Sequence, residues 1–248
     1  MNRLIDASNL KDEYRSNTPF PHIVIDNFLS PELAEKALAL YPKESDINWF
    51  KYNNVFEKKI ASNDLSILPE FYHDLLVAYF SSPYFVNFLE DLTGIKGLVC
   101  DPNFRGGGLH QILPGGKLDV HADFNIHPDL NLYRRINVIL YLNKDWLDEY
   151  NGHLELWNTE MTECVHKISP LFNRAVIFNI SDDAFHGHPD ELKCPDGMSR
   201  KSIAVYYYSK EKPENCGDPH STIYKKRPQD ETNDEIEELR KKRAISRI

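Results

Sequence analysis

The chain of 248 residues is 41% hydrophobic and 27% charged, which is ordinary for a folded globular protein of one large domain or two small ones. Its formal net charge of −9 argues against a general nucleic-acid-binding protein, because binding to phosphates needs a basic face.

Cysteine usage and apolar patterning predict a cytoplasmic protein. The four cysteines are widely spaced and include no Cys-x-x-Cys pair, which favours reduced thiols over disulfides or a zinc knuckle. The polar segment Met1–Arg15 lacks the apolar core of a signal peptide. No apolar run approaches the length of a membrane span, so no membrane partner is expected.

The first 98 residues are predicted to form a mainly helical support layer. After a loose polar lead-in over residues 1–17, the β-branched segment from Pro19 to Asp26 is typical of a strand. Serine followed by proline begins a helix at Ser30, which runs to about Leu40, and another at Ser82. A further helix begins at residues 69–70, and a glycine at position 94 ends the last helix. Residues 48–63 show no clear period and are left as loop or short strand.

From residue 99 onward, turn signals separate many short strand-like segments. Alternation is clearest in the segment Arg135–Leu142, where apolar residues at even positions face one side and Asn137, Ile139 and Tyr141 face the other. The predicted strands are Leu109–Leu113, Lys117–Ala122, Arg135–Leu142, His153–Trp157, Cys164–Ile168, Arg174–Asn179 and Ser202–Tyr208. Short strands at regular spacing predict a sandwich, barrel or jelly roll, so the fold class is α+β and mainly β.

No linker-like composition divides the chain, so a single domain over residues 1–248 is expected. It comprises the support region, about residues 1–98, the strand-rich core, about 99–209, and a charged tail, about 210–248. The tail has opposite charges at helical i,i+4 spacing, such as Glu237 and Lys241. It is interpreted as a solvated terminal helix or frayed tail without a binding role.

The triplet His121-Ala122-Asp123 carries the first indication of chemistry. Side chains two residues apart in a strand share a face, so an imidazole and a carboxylate can meet at one point. A second histidine from elsewhere would complete the facial two-histidine, one-carboxylate set of iron(II) enzymes. His186 and His188 are both candidates, and their spacing of two does not choose between them. Taken singly, a histidine in a turn-rich segment is more often a surface residue than a ligand.

A second group of residues indicates a dicarboxylate. The planar guanidinium of Arg200, which opens an apolar strand, matches a carboxylate in bidentate geometry. Ser202 points to the same face, two residues later, and Tyr141 could add a phenol to the same carboxylate. The alternatives are an arginine paired with a surface acid and an ordinary half-buried strand tyrosine.

Taken together, the ordered motifs resemble the prolyl-hydroxylase-like iron(II)/2-oxoglutarate dioxygenases. In order they are His-x-Asp, Arg-Ile-Asn-Val-Ile-Leu-Tyr-Leu-Asn-Lys-Asp-Trp, Gly-x-Leu-x-Leu-Trp, Phe-His-Gly and Arg-x-Ser-Ile-Ala-Val-Tyr-Tyr. The similarity covers roughly Pro19 to Tyr208, and its specific motifs lie between Leu109 and Tyr208. It implies a double-stranded β-helix, or jelly roll, braced by N-terminal helices.

The resemblance also implies roles for individual residues. His121, Asp123 and His186 would bind Fe(2+), and Arg200, helped by Tyr141, would bind the distal carboxylate of the cosubstrate 2-oxoglutarate. Oxygen is the oxidant, and ascorbate is an expected reductant. The reaction would hydroxylate a substrate and release succinate and CO2, so no separate general acid or base is nominated.

Departures from the family pattern leave the substrate open. Leu113 stands where related oxygen-sensing enzymes carry tyrosine before the Pro-Gly turn, and Gly152-His153 replaces Gly-Gly. His153 and His188 are predicted to lie in the pocket wall. The substrate could be a prolyl residue of a protein, by analogy of fold alone, or a small molecule such as an amino acid, sugar or lipid intermediate. A non-enzymatic jelly-roll module with a structural metal ranks last, because no cysteine sits beside the triad.

Overall fold

The helices begin and end where the sequence indicates. In the computed structural model, which describes residues 6–245, the side chains of Ser30 and Ser82 accept hydrogen bonds from the backbone N–H groups of Leu33 and Phe85. Gly94 ends its helix with a φ of 82°, a left-handed conformation that favours glycine. The helices are α1 Lys11–Ser16, α2 Pro31–Ala39, α3 Glu70–His73, α4 Pro83–Thr93 and α5 Asp234–Ile245.

Shorter helical turns complete the support layer. A 3-10 turn spans Ala7–Asn9, a π-helical segment continues α3 over Asp74–Phe80, and a second 3-10 turn spans Asp148–Tyr150. The predicted lead-in is therefore helical from residue 7 onward, whereas its first five residues lie outside the described range. Within residues 6–245, no helix is both long and apolar enough to cross a membrane.

Within residues 6–245, thirteen strands form one curled antiparallel sheet. They are β1 His22–Asp26, β2 Phe50–Asn53, β3 Glu57–Ser62, β4 Val99–Cys100, β5 Gly108–Ile112, β6 Lys117–Ala122, β7 Tyr133–Tyr141, β8 Leu154–Trp157, β9 Cys164–Ile168, β10 Arg174–Asn179, β11 His186–His188, β12 Arg200–Ser209 and β13 Ile223–Tyr224. The order along the sheet is β1-β10-β7-β12-β5-β3-β6-β11-β8-β9. The curl matches the predicted jelly roll, and every predicted strand of the core is present within one or two residues.

Side chains on β7 alternate between the hydrophobic core under the helices and the interior of the curled sheet. On β7, Val138 and Leu140 pack against the helices, whereas Ile139 and Tyr141 contact the residues inside the curl. The helices thus cover the outer face of the larger half of the sheet. The predicted period of two on this strand is confirmed, and the opposite face remains available to line a cavity.

The support region contributes more to the sheet than the sequence indicated. Besides the predicted strand β1, it supplies β2 and β3, and β3 pairs with both β5 and β6. The segment 48–63, which had no clear period, is the hairpin of β2 and β3.

The charged tail is not a solvated appendage. In it, β13 pairs with β6, and Arg240 on α5 is only 8% exposed. Arg227 holds Asp190 at 2.9 Å and Asp230 at 2.8 Å, so charges that looked solvated instead fasten the tail to the core. The expectation of a wholly solvated tail is therefore wrong for its described part, while residues 246–248 lie outside that part.

Candidate metal and cosubstrate site

Two neighbouring strands bring the three predicted metal ligands together. His121 on β6 and His186 on β11 are paired directly in the antiparallel register, and Asp123 follows the end of β6. The Asp123 carboxylate lies 3.6 Å from His121 Nε2 and 3.4 Å from His186 Nε2. One nitrogen of each imidazole and one carboxylate oxygen all lie within 4.8 Å of one another. The spatial choice between the two candidate histidines is thus clear, because the register places His186, and not His188, opposite His121.

Both imidazoles are held with one nitrogen turned to the cluster. His121 Nδ1 lies 2.8 Å from the carbonyl oxygen of Asp119, and His186 Nδ1 lies 2.9 Å from that of Ala184. Because a carbonyl can only accept, each Nδ1 must donate, which leaves Nε2 with a free lone pair in the neutral ring. Burial, together with the nearby His121, lowers the pKa of His186 to about 4, so the His186 ring is neutral at physiological pH. Imidazoles oriented by backbone carbonyls are suited to binding a metal.

The carboxylate of Asp123 is kept ionised and oriented by neighbours. Asn137 Nδ2 donates to it at 2.8 Å, and Arg134 Nη2 lies 3.1 Å away. Burial alone would raise the pKa of Asp123, but the charge of Arg134, together with the hydrogen bond of His121 and the nearby His186, holds that pKa well below its usual range. The Arg134 guanidinium is itself buried between the rings of Phe124 and Tyr206, 4.7 and 3.6 Å from their centroids. Two imidazoles and one ionised carboxylate fit the donor set of non-heme iron(II).

The predicted cosubstrate residues cluster around a buried arginine. Arg200 Nε donates to the carbonyl oxygen of Gly152 at 2.7 Å, and its Nη2 donates to the Tyr141 hydroxyl at 3.1 Å. Arg200 is 4% exposed, and within residues 6–245 no carboxylate lies at ion-pair distance from it. Burial therefore lowers the pKa of Arg200. A buried cation with unused N–H donors is suited to receiving an anionic ligand.

One cavity of about 290 Å³ contains both clusters. Its wall includes the three candidate ligands, Arg200 and Ser202, and apolar side chains such as Ile112 and Leu154. Tyr141 is not in this wall: its ring lies under Arg200, with the guanidinium carbon 4.8 Å from the ring centroid. Its contact with the cosubstrate remains a prediction, whereas its contact with Arg200 is direct.

Of the two histidines that were predicted to lie in the cavity wall, one does and the other does not. His188 lines the cavity, but His153 is turned to Asp148 at 3.1 Å and does not, so its predicted place in the pocket wall is wrong. Leu113 lies in a different groove of about 710 Å³, on the other face of β5. A side chain at position 113 therefore points away from the candidate ligands.

The C-terminal strap, residues 215–224, forms a part of the site that sequence patterns did not indicate. Within it, Thr222 and Tyr224 line the cavity, as does Arg243 on α5. The ring of Tyr224 stacks on Phe56 with centroids 4.6 Å apart and lies 5.8 Å from the ring of His121. The local sequence signal was the pair Ile223-Tyr224, one β-branched and one aromatic residue ahead of a charged run. A pair is too short to predict a strand.

A polar network fastens the strap beside the candidate metal ligands. The side chain of Asn125 donates to the carbonyl oxygen of Asp218 at 3.0 Å and accepts from the backbone N–H of His220 at 3.1 Å. His220 Nε2 lies 2.9 Å from the carboxylate of Asp182. Burial alone would lower the pKa of His220, but the hydrogen bond and charge of Asp182 outweigh burial and raise it.

The hairpin of β2 and β3 supplies the part of the wall next to the strap, since Phe56 between these strands stacks on Tyr224. Tyr52 and Lys59 line the cavity, and the Lys59 ammonium lies 4.7 Å above the Tyr52 ring and 3.3 Å from the Glu57 carboxylate. These side chains escaped prediction because the segment has no alternation that marks one face as buried.

Comparisons with known proteins agree with this geometry. Residues 107–217 match the 2OG-Fe(II) oxygenase superfamily. The chain is 26% identical over 199 residues to prolyl 3-hydroxylase OGFOD1 of Mus musculus, an alignment that covers 77% of this chain and 33% of that protein. This chain thus spans about one third of the length of that relative.

Solved structures share the fold. A prolyl-4-hydroxylase of Pseudomonas putida superposes with a TM-score of 0.56 at 14% identity, over 82% of this chain and 98% of that one. HygX of Streptomyces hygroscopicus, solved with nickel, 2-oxoglutarate and hygromycin B, superposes with a TM-score of 0.55 at 10% identity, over 82% and 87%. Iron(II), 2-oxoglutarate and oxygen are the metal, cosubstrate and oxidant of the superfamily that the chain matches. Residues 107–217 thus resemble the 2OG-Fe(II) oxygenase superfamily, and the chain has the fold of a solved prolyl-4-hydroxylase.

Proposed function

We propose that the protein is an iron(II)- and 2-oxoglutarate-dependent dioxygenase that hydroxylates its substrate and releases succinate and CO2. The observation that supports this most is one buried cavity holding both a two-histidine, one-carboxylate cluster and an arginine without an anionic partner among residues 6–245. The first group suits iron(II), and the second suits the far carboxylate of a dicarboxylic cosubstrate.

In this proposal, His121, Asp123 and His186 hold the metal. When bound, iron(II) would supply the activation of oxygen coupled to the oxidative decarboxylation of 2-oxoglutarate, and ascorbate would serve only to keep the metal as iron(II). The chain orients the ligands: backbone carbonyls fix both imidazole rings, and Asn137 and Arg134 fix the carboxylate.

The remaining residues hold and enclose the cosubstrate. Arg200 binds the distal carboxylate, Tyr141 keeps the guanidinium in place through its hydroxyl, and Ser202 adds a hydroxyl donor from the same wall. Burial of this wall excludes water, which strengthens the charge-assisted hydrogen bonds.

A prolyl residue of a protein is the substrate that we favour. The relative OGFOD1 is named a prolyl 3-hydroxylase, and a cavity of about 290 Å³ leaves room for little more than one residue beside the cosubstrate. A small molecule is the second candidate, because HygX has the same fold and was solved with hygromycin B bound. The four cysteines are free, which supports a cytoplasmic location for either reaction.

Succinate formation tests the proposal. Purified protein with iron(II), ascorbate and 2-oxoglutarate should release succinate, and Asp123→Ala should not. Candidate peptides and small molecules are then compared by whether they raise this rate and gain the mass of one oxygen atom. His153→Ala is the matched control, since His153 lies outside the cavity. Failure of 2-oxoglutarate to bind in the presence of metal would exclude the proposed reaction.

A further inference from the structure

His188 lines the cavity but does not belong to the candidate metal cluster. It follows His186 by two residues on β11, so the two rings lie on the same face of the strand, about 6.6 Å apart along it. A Cβ at the intervening Gly187 would meet the backbone oxygens of Leu118 and Asp119 at 2.9 Å. β11 therefore lies tightly against β6, and the His188 ring cannot withdraw from the cavity by a shift of the strand.

One nitrogen of the buried His188 ring has no hydrogen-bond partner within residues 6–245. The exposed fraction of His188 is 5%, and its Nδ1 is among the buried polar atoms of this range that lack a partner. The nearest strand partner is Leu118, and Ile112 and Leu154 line the same cavity, so the surroundings are apolar apart from the charged groups. An unsatisfied buried donor or acceptor destabilises a protein by about 1–3 kcal/mol, so such a group calls for an explanation.

The charged neighbours of His188 indicate the kind of ligand that would satisfy it. Arg200 and Lys59 share the cavity wall with His188, and both act electrostatically on its ring. Lys59 is paired with Glu57 at 3.3 Å, but no carboxylate pairs with Arg200 within the described residues, so the unbalanced positive charge on this side of the cavity is that of Arg200. A neutral imidazole beside an arginine can donate its N–H to the same carboxylate that the guanidinium holds.

We propose that His188 is a cosubstrate-binding residue, whose ring N–H donates to the distal carboxylate of the dicarboxylate that Arg200 holds. This inference rests on the proposed function and adds a contact to it. It assigns the buried polar group on β11 to the ligand rather than to the protein core. The carboxylate of the bound cosubstrate then supplies the hydrogen-bond partner that the His188 ring nitrogen lacks among the described residues.

Binding of 2-oxoglutarate, measured by calorimetry with manganese(II) in place of iron, tests the assignment. In His188→Leu the affinity should fall about tenfold to a hundredfold, the range expected for a hydrogen bond to a charged group. His188→Gln keeps an N–H donor and should restore most of the loss. Manganese affinity should stay unchanged in both variants, and His153→Leu serves as the matched control outside the cavity.

A second ligand identifies the carboxylate. 2-Oxopentanoate lacks the distal carboxylate, so its affinity should be the same in wild type and His188→Leu. An equal loss for both ligands would overturn the assignment to the distal carboxylate, and wild-type affinity of His188→Leu for 2-oxoglutarate would overturn the inference alone. Wild-type protein that binds no 2-oxoglutarate would overturn the proposed function and this contact with it.

The unfolding temperature of the ligand-free variants distinguishes a binding role of His188 from a structural one. Replacing an unsatisfied buried polar group by an apolar side chain should leave the protein as stable as the wild type or more so. His188→Leu should therefore unfold at no lower temperature than wild type, while it gains less from 2-oxoglutarate. A large loss of stability in the ligand-free protein would show that the ring serves the fold.

Discussion

Replacement of Arg200 by methionine should have different effects on the free and the ligand-bound protein. The guanidinium is 4% exposed and has no anionic partner among residues 6–245. An ion buried in this way destabilises the fold by several kcal/mol. Arg200→Met removes that penalty, but leaves the Gly152 carbonyl and the Tyr141 hydroxyl without a donor, a loss of about 1–3 kcal/mol for each group. Because the two effects are of similar size, the ligand-free variant should lose little or no stability.

The ligand-bound state should be affected more. Removing one partner of a buried, hydrogen-bonded charge pair weakens binding by about 2–5 kcal/mol. At 1.4 kcal/mol for each factor of ten, the affinity of Arg200→Met for 2-oxoglutarate should fall about 30-fold to 3,000-fold. A ligand at 100 times its Kd stabilises the folded state by about 2.7 kcal/mol, so this gain should be seen in the wild type and lost in the variant.

Chemical denaturation with manganese(II), with and without 2-oxoglutarate, measures both effects. Arg200→Lys keeps the charge but loses the planar fork, so it should bind with intermediate affinity. Arg135→Met is the matched control, because Arg135 bonds to Ser209 outside the cavity. The reasoning is refuted if Arg200→Met destabilises the free protein by several kcal/mol while 2-oxoglutarate stabilises it as much as the wild type.

Other predictions concern the metal cluster and the strap. His186→Ala should abolish tight manganese(II) binding in a metal titration, whereas His188→Leu should leave it intact; equal loss in both would refute the ligand assignment. Tyr224→Ala should lower the free energy of unfolding by about 3–5 kcal/mol, because a large ring leaves a packed site, whereas Tyr224→Phe should lower it by about 1 kcal/mol or less. Because Asp182 raises the pKa of His220, their ion pair stabilises the strap fully below the ordinary pKa of 6.5 and is lost as pH rises through the raised one. The protection of residues 215–224 against hydrogen exchange, corrected for the intrinsic exchange rate at each pH, should fall over that rise, and His220→Asn should remove this fall; protection that grows with pH would contradict it.

The parts of the fold that the sequence predicted well are those set by local chemistry. Helix starts at Ser30 and Ser82 follow from a hydroxyl that caps free N–H groups, and the end at Gly94 follows from a left-handed φ of 82°. The alternation on β7 predicted which face packs on the helices. Each of these signals lies within a few neighbouring residues, so no knowledge of distant contacts was needed.

The third metal ligand and the cavity wall depend on distant contacts instead. His186 and His188 point the same way by strand geometry, and only the pairing of His186 with His121 across β6 and β11 separates them. Tyr224 reaches the site because its two-residue strand pairs with β6, a contact between segments about a hundred positions apart. Register between distant strands is set by the packing of the whole sheet, which no local pattern contains.

The contrast between residues that local patterns predict and residues that distant contacts bring to the cavity also bears on which substrate is accepted. The candidate metal ligands and Arg200 lie within residues 107–217, the part that matches the oxygenase superfamily, whereas Tyr52, Lys59 and Tyr224 in the cavity wall lie outside it. The matched part thus contains the residues that the proposed chemistry needs. A substrate is recognised by side chains that meet it beyond the metal and cosubstrate, and differences between substrates then follow from differences at such positions. The hairpin of β2 and β3 and the C-terminal strap are therefore the segments in which substitutions should change which substrate is accepted while 2-oxoglutarate binding is retained.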